Sequence, residues 1–141
     1  MRLDHLNLSV SSFDETVTWY RAVFGFELVE SATLDDGTRW GVIHNGGASL
    51  CVYEHPEYSS PGSAPTAHHL SHFALQIDDR EAWLAAVEAH GIDVRYGGVV
   101  SWPHSDSWYV TDPTGWEIEV CWWRDGSPSF AGRPNQHAEA H

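Results

Sequence analysis

Three side chains, His5, His72 and Glu119, have the types and placement for chemistry in this chain. Two neutral imidazoles and one carboxylate suit a borderline divalent ion such as Zn, Mn, Fe, Ni or Co, with coordination positions left for water and substrate. A single His on a strand is ordinarily a surface or hydrogen-bonded residue, and ten are present here. Position singles these three out. The stretch LDHLNLSV, a helical run ending at Gly25 and a run closing on ASLCVYE recur as LSHFALQI, a run ending at Gly91 and GWEIEVCW. His5 with His72, Gly25 with Gly91 and Cys51 with Glu119 repeat at an interval within one residue of 67, so the three stand at matching places of an internal repeat.

The elements that must carry them follow from the hydrophobic pattern. Residues 3–10 alternate, with Leu6, Leu8 and Val10 on one face and His5, Asn7 and Ser9 on the other, the period of a strand. Ser11 or Ser12 offers an N-cap, Asp14 and Glu15 suit a first helical turn, and Phe13, Val17, Tyr20, Val23 and Phe24 make an apolar stripe stopped by Gly25. Residues 26–33 and 38–44 read as a hairpin around Asp35-Asp36-Gly37, and residues 48–53 as a fourth strand. The second copy reads as a strand over 69–77, a helix over 80–90, a strand over 93–96, and a last hairpin of 107–111 and 116–122 turned by Asp112-Pro113-Thr114-Gly115.

The expected architecture is α+β: paired βαβββ modules forming an open, curved β-barrel with the helices outside. Module one spans 1–55, a Pro-rich linker 56–68 and module two 69–126, together one domain, with a polar tail over 127–141. Strand alternation sets His72 and Glu119 opposite Phe73/Leu75 and Ile118/Val120, so apolar residues under the helices leave the donors facing a cavity.

Composition narrows the function classes. Forty-two per cent hydrophobic residues and eight Trp argue for a packed core rather than disorder. Seven Arg, no Lys and twenty acids give a net charge of −13, which repels phosphate backbones and acidic lipid and excludes nucleic acid and membrane as expected partners. No signal-peptide core or membrane-length apolar run is visible, and two Cys make no disulfide framework, so a cytoplasmic location with free thiols is expected.

Over roughly residues 2–124 the chain resembles the vicinal oxygen chelate superfamily, the group of glyoxalases, fosfomycin- and bleomycin-resistance proteins and extradiol dioxygenases. The motifs are DHLNLSV, WYRAVFGFELV, SHFALQI and YVTDPTGWEIEV. The last is the most specific, because members often carry D-P-x-G-x-x-[IL]-E with the Glu as ligand. The resemblance implies a divalent metal ion held by His5, His72 and Glu119, and a small-molecule substrate that chelates it through adjacent oxygens, with a metal-stabilised oxyanion. It also implies a homodimer, sometimes strand-swapped, so that the ligands come from one chain or from two.

Departures from the family pattern select among reactions. Glyoxalase I typically has a fourth ligand where Cys51 stands; a small pocket-lining thiol is the preferred reading of Cys51 over a soft ligand. Thiol transfer to fosfomycin expects Thr at Asn7 and a cation in the loop over 99–104, where Arg124 and Arg95 are the only ones near in sequence. Ser107 and Tyr109 remain as hydroxyl donors. Extradiol cleavage expects an acid–base His further upstream of the Tyr than His104, which is left as an outer acid or base or an ordinary loop residue. Trp102 and Tyr109 suit a flat or apolar substrate. The expected function is therefore a lyase, isomerase or thiol-transfer enzyme, catalytic through Glu119, Tyr109 and His104, with Asn7, Cys51, Trp102, Ser107 and Arg124 lining the pocket and a thiol as possible co-substrate. The alternatives are an Fe(II) ring-cleaving dioxygenase and a drug-binding protein without catalysis.

Overall fold

The structure is a computed structural model and describes residues 1–58 and 70–129; most of the expected linker and most of the polar tail lie outside the described residues. Its element order is β1 (Leu6–Val10), α1 (Phe13–Phe24), β2 (Glu27–Thr33), β3 (Arg39–Asn45), β4 (Ala48–Glu54), β5 (Phe73–Ile77), α2 (Arg80–His90), β6 (Val100–Ser101), β7 (Ser105–Thr111) and β8 (Glu117–Trp123). The strands make two four-stranded mixed sheets of identical order, β1-β4-β3-β2 and β5-β8-β7-β6. The outer pairs β1–β4 and β5–β8 are parallel, and the others antiparallel. This is the α+β class, with a βαβββ path in each copy of the repeat.

The helix boundaries follow the capping chemistry. Ser12 caps α1 by accepting from the Glu15 N–H, and Asp79 caps α2 by accepting from Ala82 at 2.9 Å. Gly25 (φ 68°) and Gly91 (φ 58°) end them in the left-handed region, where a Cβ is disfavoured.

The chain groups into two compact units. The first holds β1–β4 and α1, with Leu8, Val10, Phe13, Tyr20, Ile43, Leu50 and Val52 buried. Its β3 carries Gly41 where the ladder passes Phe13: a Cβ there would stand 2.7 Å from the Glu30 carbonyl and 2.9 Å from the Phe13 ring. The turn Asp112–Trp116 belongs to this unit. Asp112 is the hub of that turn. Its Oδ1 accepts from the N–H groups of Thr114, Gly115 and Trp116, each at 2.9 Å, and its Oδ2 accepts from the Tyr20 hydroxyl at 3.0 Å. The Ser11 N–H donates to Thr114 Oγ1, and the Trp116 indole to the Ser9 carbonyl.

The second unit holds β5–β8 and α2. Trp83 of α2 meets Trp108 of β7 edge-on, with ring centroids 6.5 Å apart, on the face that also carries Ile118 and Val120. One expected element is corrected. Residues 93–96 are not a strand: Tyr96, Gly97 and Gly98 have φ of 58°, 79° and 113°, which no ladder accommodates. The edge position goes instead to the two-residue β6, paired with Ser107 and Asp106. No helix among the described residues is long and apolar enough to cross a membrane.

Candidate functional site

Register decides which side chains of the second sheet meet. Ala74 of β5 and Tyr109 of β7 both pair with Glu119 of β8, and Ser107 pairs with Cys121. Alternation therefore gathers His72, just before β5, with Ser107, Tyr109, Glu117 and Glu119 on the face opposite Trp108, Ile118 and Val120. The anticipated opposition of His72 and Glu119 to the apolar residues is present.

Glu119 is the centre of this group. Its Oε2 lies 3.2 Å from His72 Nε2, and its Oε1 accepts from the Ser107 hydroxyl at 2.8 Å. Burial raises its pKa, but hydrogen bonds from His72, Ser107 and Cys121 outweigh that and hold the carboxyl at about 2. The same bond to Glu119 raises His72 above its ordinary value, against the effect of burial and with help from the charges of Glu119 and Glu117. Tyr109 lies edge-on to His72, ring centroids 5.7 Å apart. Burial first, and then the Glu119 charge, push its phenol well up, so it stays a proton donor at neutral pH.

Glu117 and Tyr96 were not anticipated as site residues, and Arg95 only as a cation near the loop over 99–104. Glu117 is buried, its Oε2 bonded by Arg95 Nη1 and by the Tyr96 hydroxyl at 2.7 Å, and its Oε1 stands 3.9 Å from His72 Nδ1. A signal for Glu117 was available: two residues before Glu119 on a strand is the same face. None was available for Arg95 and Tyr96, which precede the strands and arrive through a turn.

The other anticipated residues take different places. His5 lies in the first unit, just before β1, half-exposed, with Nδ1 2.8 Å from Asp4 Oδ2. Asn7 and Cys51 are register partners of β1 and β4 in that unit. Burial, followed by the charges of Asp4 and Glu30, raises the Cys51 thiol, which favours a neutral lining residue over a soft thiolate ligand. His104 and Trp102 lie at the β6–β7 turn, where the His104 carbonyl accepts from Arg124 N–H and the Trp102 N–H donates to the Ser105 carbonyl. The structure does not bring the His104 ring into hydrogen bonding with His72 or Glu119 among the described residues. Arg124 bonds Asp106 at 2.8 Å and lies over Trp122, on the Trp108 face away from Glu119.

His72 and Glu119 fit one face of a cation site: a nitrogen and a carboxylate oxygen converge, and a hydroxyl fixes the second oxygen. Among the described residues no three His, Cys, Asp or Glu side chains already stand together as such a site.

The family model of the Glyoxalase/Bleomycin resistance protein/Dioxygenase superfamily matches residues 2–120. No curated protein matches the chain. Among solved structures, a glyoxalase family protein from Enterococcus faecalis is similar at TM-score 0.72 and 19% identity, covering 85% of this chain and 96% of that one. Lactoylglutathione lyase from Agrobacterium tumefaciens gives TM-score 0.62 and 26% identity over 86% and 92% of the two chains. A fosfomycin resistance protein from Listeria monocytogenes, complexed with Mn(II) and sulfate, gives 0.64 and 18% over 85% and 90%.

Proposed function

The chain belongs to the Glyoxalase/Bleomycin resistance protein/Dioxygenase superfamily, and on that premise we propose that it is a metal-dependent enzyme acting on a small oxygenated substrate that chelates the ion. His5, His72 and Glu119 are the proposed ligands, and the reaction a lyase, isomerase or thiol-transfer step. The observation that carries the reading is the close approach of His72 Nε2 to Glu119 Oε2, 3.2 Å, with Glu119 held ionised. When bound, a divalent ion supplies an electrophile for two adjacent substrate oxygens and stabilises charge on them. The chain's own residues do the rest. Ser107 fixes the orientation of Glu119, and Tyr109 offers a hydroxyl that remains protonated. Asn7 and Cys51 line the first module's contribution.

The lyase reading draws on the similarity to lactoylglutathione lyase, and the divalent ion on the Mn(II) named with the fosfomycin resistance protein. The proposal includes a thiol co-substrate, a homodimer, and a cytoplasmic setting that keeps Cys51 and Cys121 as the free thiols they are. The two modules, 1–55 and 69–126, act together in it as one domain.

Metal analysis of the purified protein and of its His5→Ala, His72→Ala and Glu119→Ala variants tests the ligand set, with the tail histidines His137 and His141 changed to Asn beforehand. Bound metal is expected in the parent and lost from all three. Undiminished metal in His72→Ala and Glu119→Ala sinks the proposal. Co-expression of His5→Ala with Glu119→Ala chains then shows whether ligands come from one chain or two: only ligands shared between chains restore a site in the mixed dimer. Turnover of methylglyoxal with glutathione, or of fosfomycin with a thiol, tests the reaction group, and oxygen uptake with catechols after anaerobic Fe(II) loading would move the reading to ring cleavage.

A further inference from the structure

We infer that Glu117 is a positioning residue for His72, the acceptor that places the imidazole proton on Nδ1 and leaves a lone pair at Nε2. This rests on the metal-site reading above and adds to it a residue that the repeat and the motifs do not mark.

The argument begins with where the proton must be. A carboxylate oxygen accepts, so the 3.2 Å approach of His72 Nε2 to Glu119 Oε2 is a hydrogen bond with the hydrogen on Nε2. A nitrogen that holds a cation needs its lone pair instead. A neutral imidazole carries one N–H, so releasing Nε2 moves the hydrogen to Nδ1, where it needs an acceptor. Glu117 Oε1 stands 3.9 Å from Nδ1. That exceeds hydrogen-bond length, so this role requires the ring to settle toward Glu117 once Nε2 gives up its bond to Glu119.

Glu117 is built to stay where it is. Its side chain is only 5% exposed, and its Oε2 is engaged by both Arg95 Nη1 and the Tyr96 hydroxyl, so Oε1 is the oxygen turned to the histidine. Arg95 offsets the charge of Glu117, which leaves the charge of Glu119 for the cation. Tyr96 is held at φ 58°, a left-handed conformation that a non-glycine residue adopts only at a cost. Its ring packs edge-on to Tyr109, centroids 5.2 Å apart, and lies under the Arg95 guanidinium at 5.0 Å. A strained backbone whose side chain ends on one buried carboxylate points to that carboxylate having a task.

A purely structural Arg95–Glu117 pair predicts something different: lower stability on its removal, with unchanged affinity and tautomer. Both roles are separable in the full-length chain carrying His137→Asn and His141→Asn, using Zn(II) alone as probe. Zn(II) affinity is read by competition with a chelating dye, the His72 tautomer by proton–nitrogen correlation NMR, and the fold by circular dichroism and melting. The expected result for Glu117→Gln is a folded protein with Zn(II) affinity weakened about 10–100-fold and loss of the single Nδ1–H form seen in the Zn(II)-loaded parent. Tyr96→Phe, which removes one of the donors fixing Glu117, should shift both in the same direction by less. Parent affinity and tautomer in folded Glu117→Gln, with binding lost in His72→Ala, would overturn this inference alone. Should Glu117→Gln not fold, parent values in Tyr96→Phe would overturn it. Zn(II) retained by His72→Ala would overturn the metal-site reading, and this inference with it.

Discussion

The His72–Glu119 pair should make the metal-free protein most stable in a window of mildly acidic pH, and Glu119→Gln should remove that window. Glu119 falls from an ordinary 4.5 to about 2 in the folded chain, so its contribution is present above 4.5 and lost as the pH falls through about 2. His72 is raised from 6.5, so its contribution is present below 6.5 and lost as the pH rises through the folded value. Both partners are charged between those limits, which places the plateau at 4.5 to 6.5. The depression of Glu119 corresponds to about 3 kcal/mol. The His72 side chain is 37% exposed, and solvent screening brings the pair to about 2 kcal/mol. The two shifts describe one interaction and are not summed. Urea denaturation of parent and Glu119→Gln, in chelator, measures the difference at about pH 5.5, at about pH 3 and at about pH 8.5. The largest difference is expected at the middle value, shrinking on both sides. A difference that is constant across the three, or that grows toward alkaline pH, would refute the assignment of an ionised Glu119 bonded to His72.

Asp112→Ala should destabilise by about 3–5 kcal/mol, because three backbone N–H groups and the Tyr20 hydroxyl lose their acceptor, with Tyr20→Phe costing about 1–2 kcal/mol; equilibrium unfolding checks both, and a near-neutral Asp112→Ala would refute the turn's role. Gly41→Ala forces a Cβ against the Glu30 carbonyl and the Phe13 ring and should cost about 1–3 kcal/mol, read as a lowered melting temperature. In an alkaline ultraviolet titration two phenols, Tyr20 and Tyr109, should ionise later than the exposed tyrosines, and Tyr109→Phe should delete one late-titrating component; a spectrum in which only early phenols disappear would count against the buried Tyr109.

The second copy of the repeat shows how far a one-dimensional pattern reaches. Period-two alternation is enough to put His72 and Glu119 opposite Phe73 and Ile118, because a strand leaves each side chain only two faces. The helix stops Gly25 and Gly91 were equally legible, and the first N-cap was narrowed to Ser11 or Ser12, because such residues act on neighbours within a turn and their preferences are local. Residues 93–96 show the opposite case. Arg95 and Tyr96 have an acceptable strand pattern, but the following Gly97 and Gly98 take positive φ, and after one backbone bond, from Arg95 N–H to the Tyr109 carbonyl, the chain turns.

What the sequence alone determined was therefore the doubled βαβββ order apart from one edge strand, the helix ends, and the face on which His72 and Glu119 sit, since these depend on spacing and local backbone preference. Only the tertiary structure decided which donors meet. Register across β5, β8 and β7 brings His72, Ser107 and Tyr109 to Glu119, while Arg124, close in sequence, goes to Asp106 on the other face. The Arg95–Glu117 pair spans two elements that no periodicity connects. Such contacts depend on where separate segments end in space, and the energy that selects them, burial of a carboxylate with its full set of donors, exists only once the segments are packed.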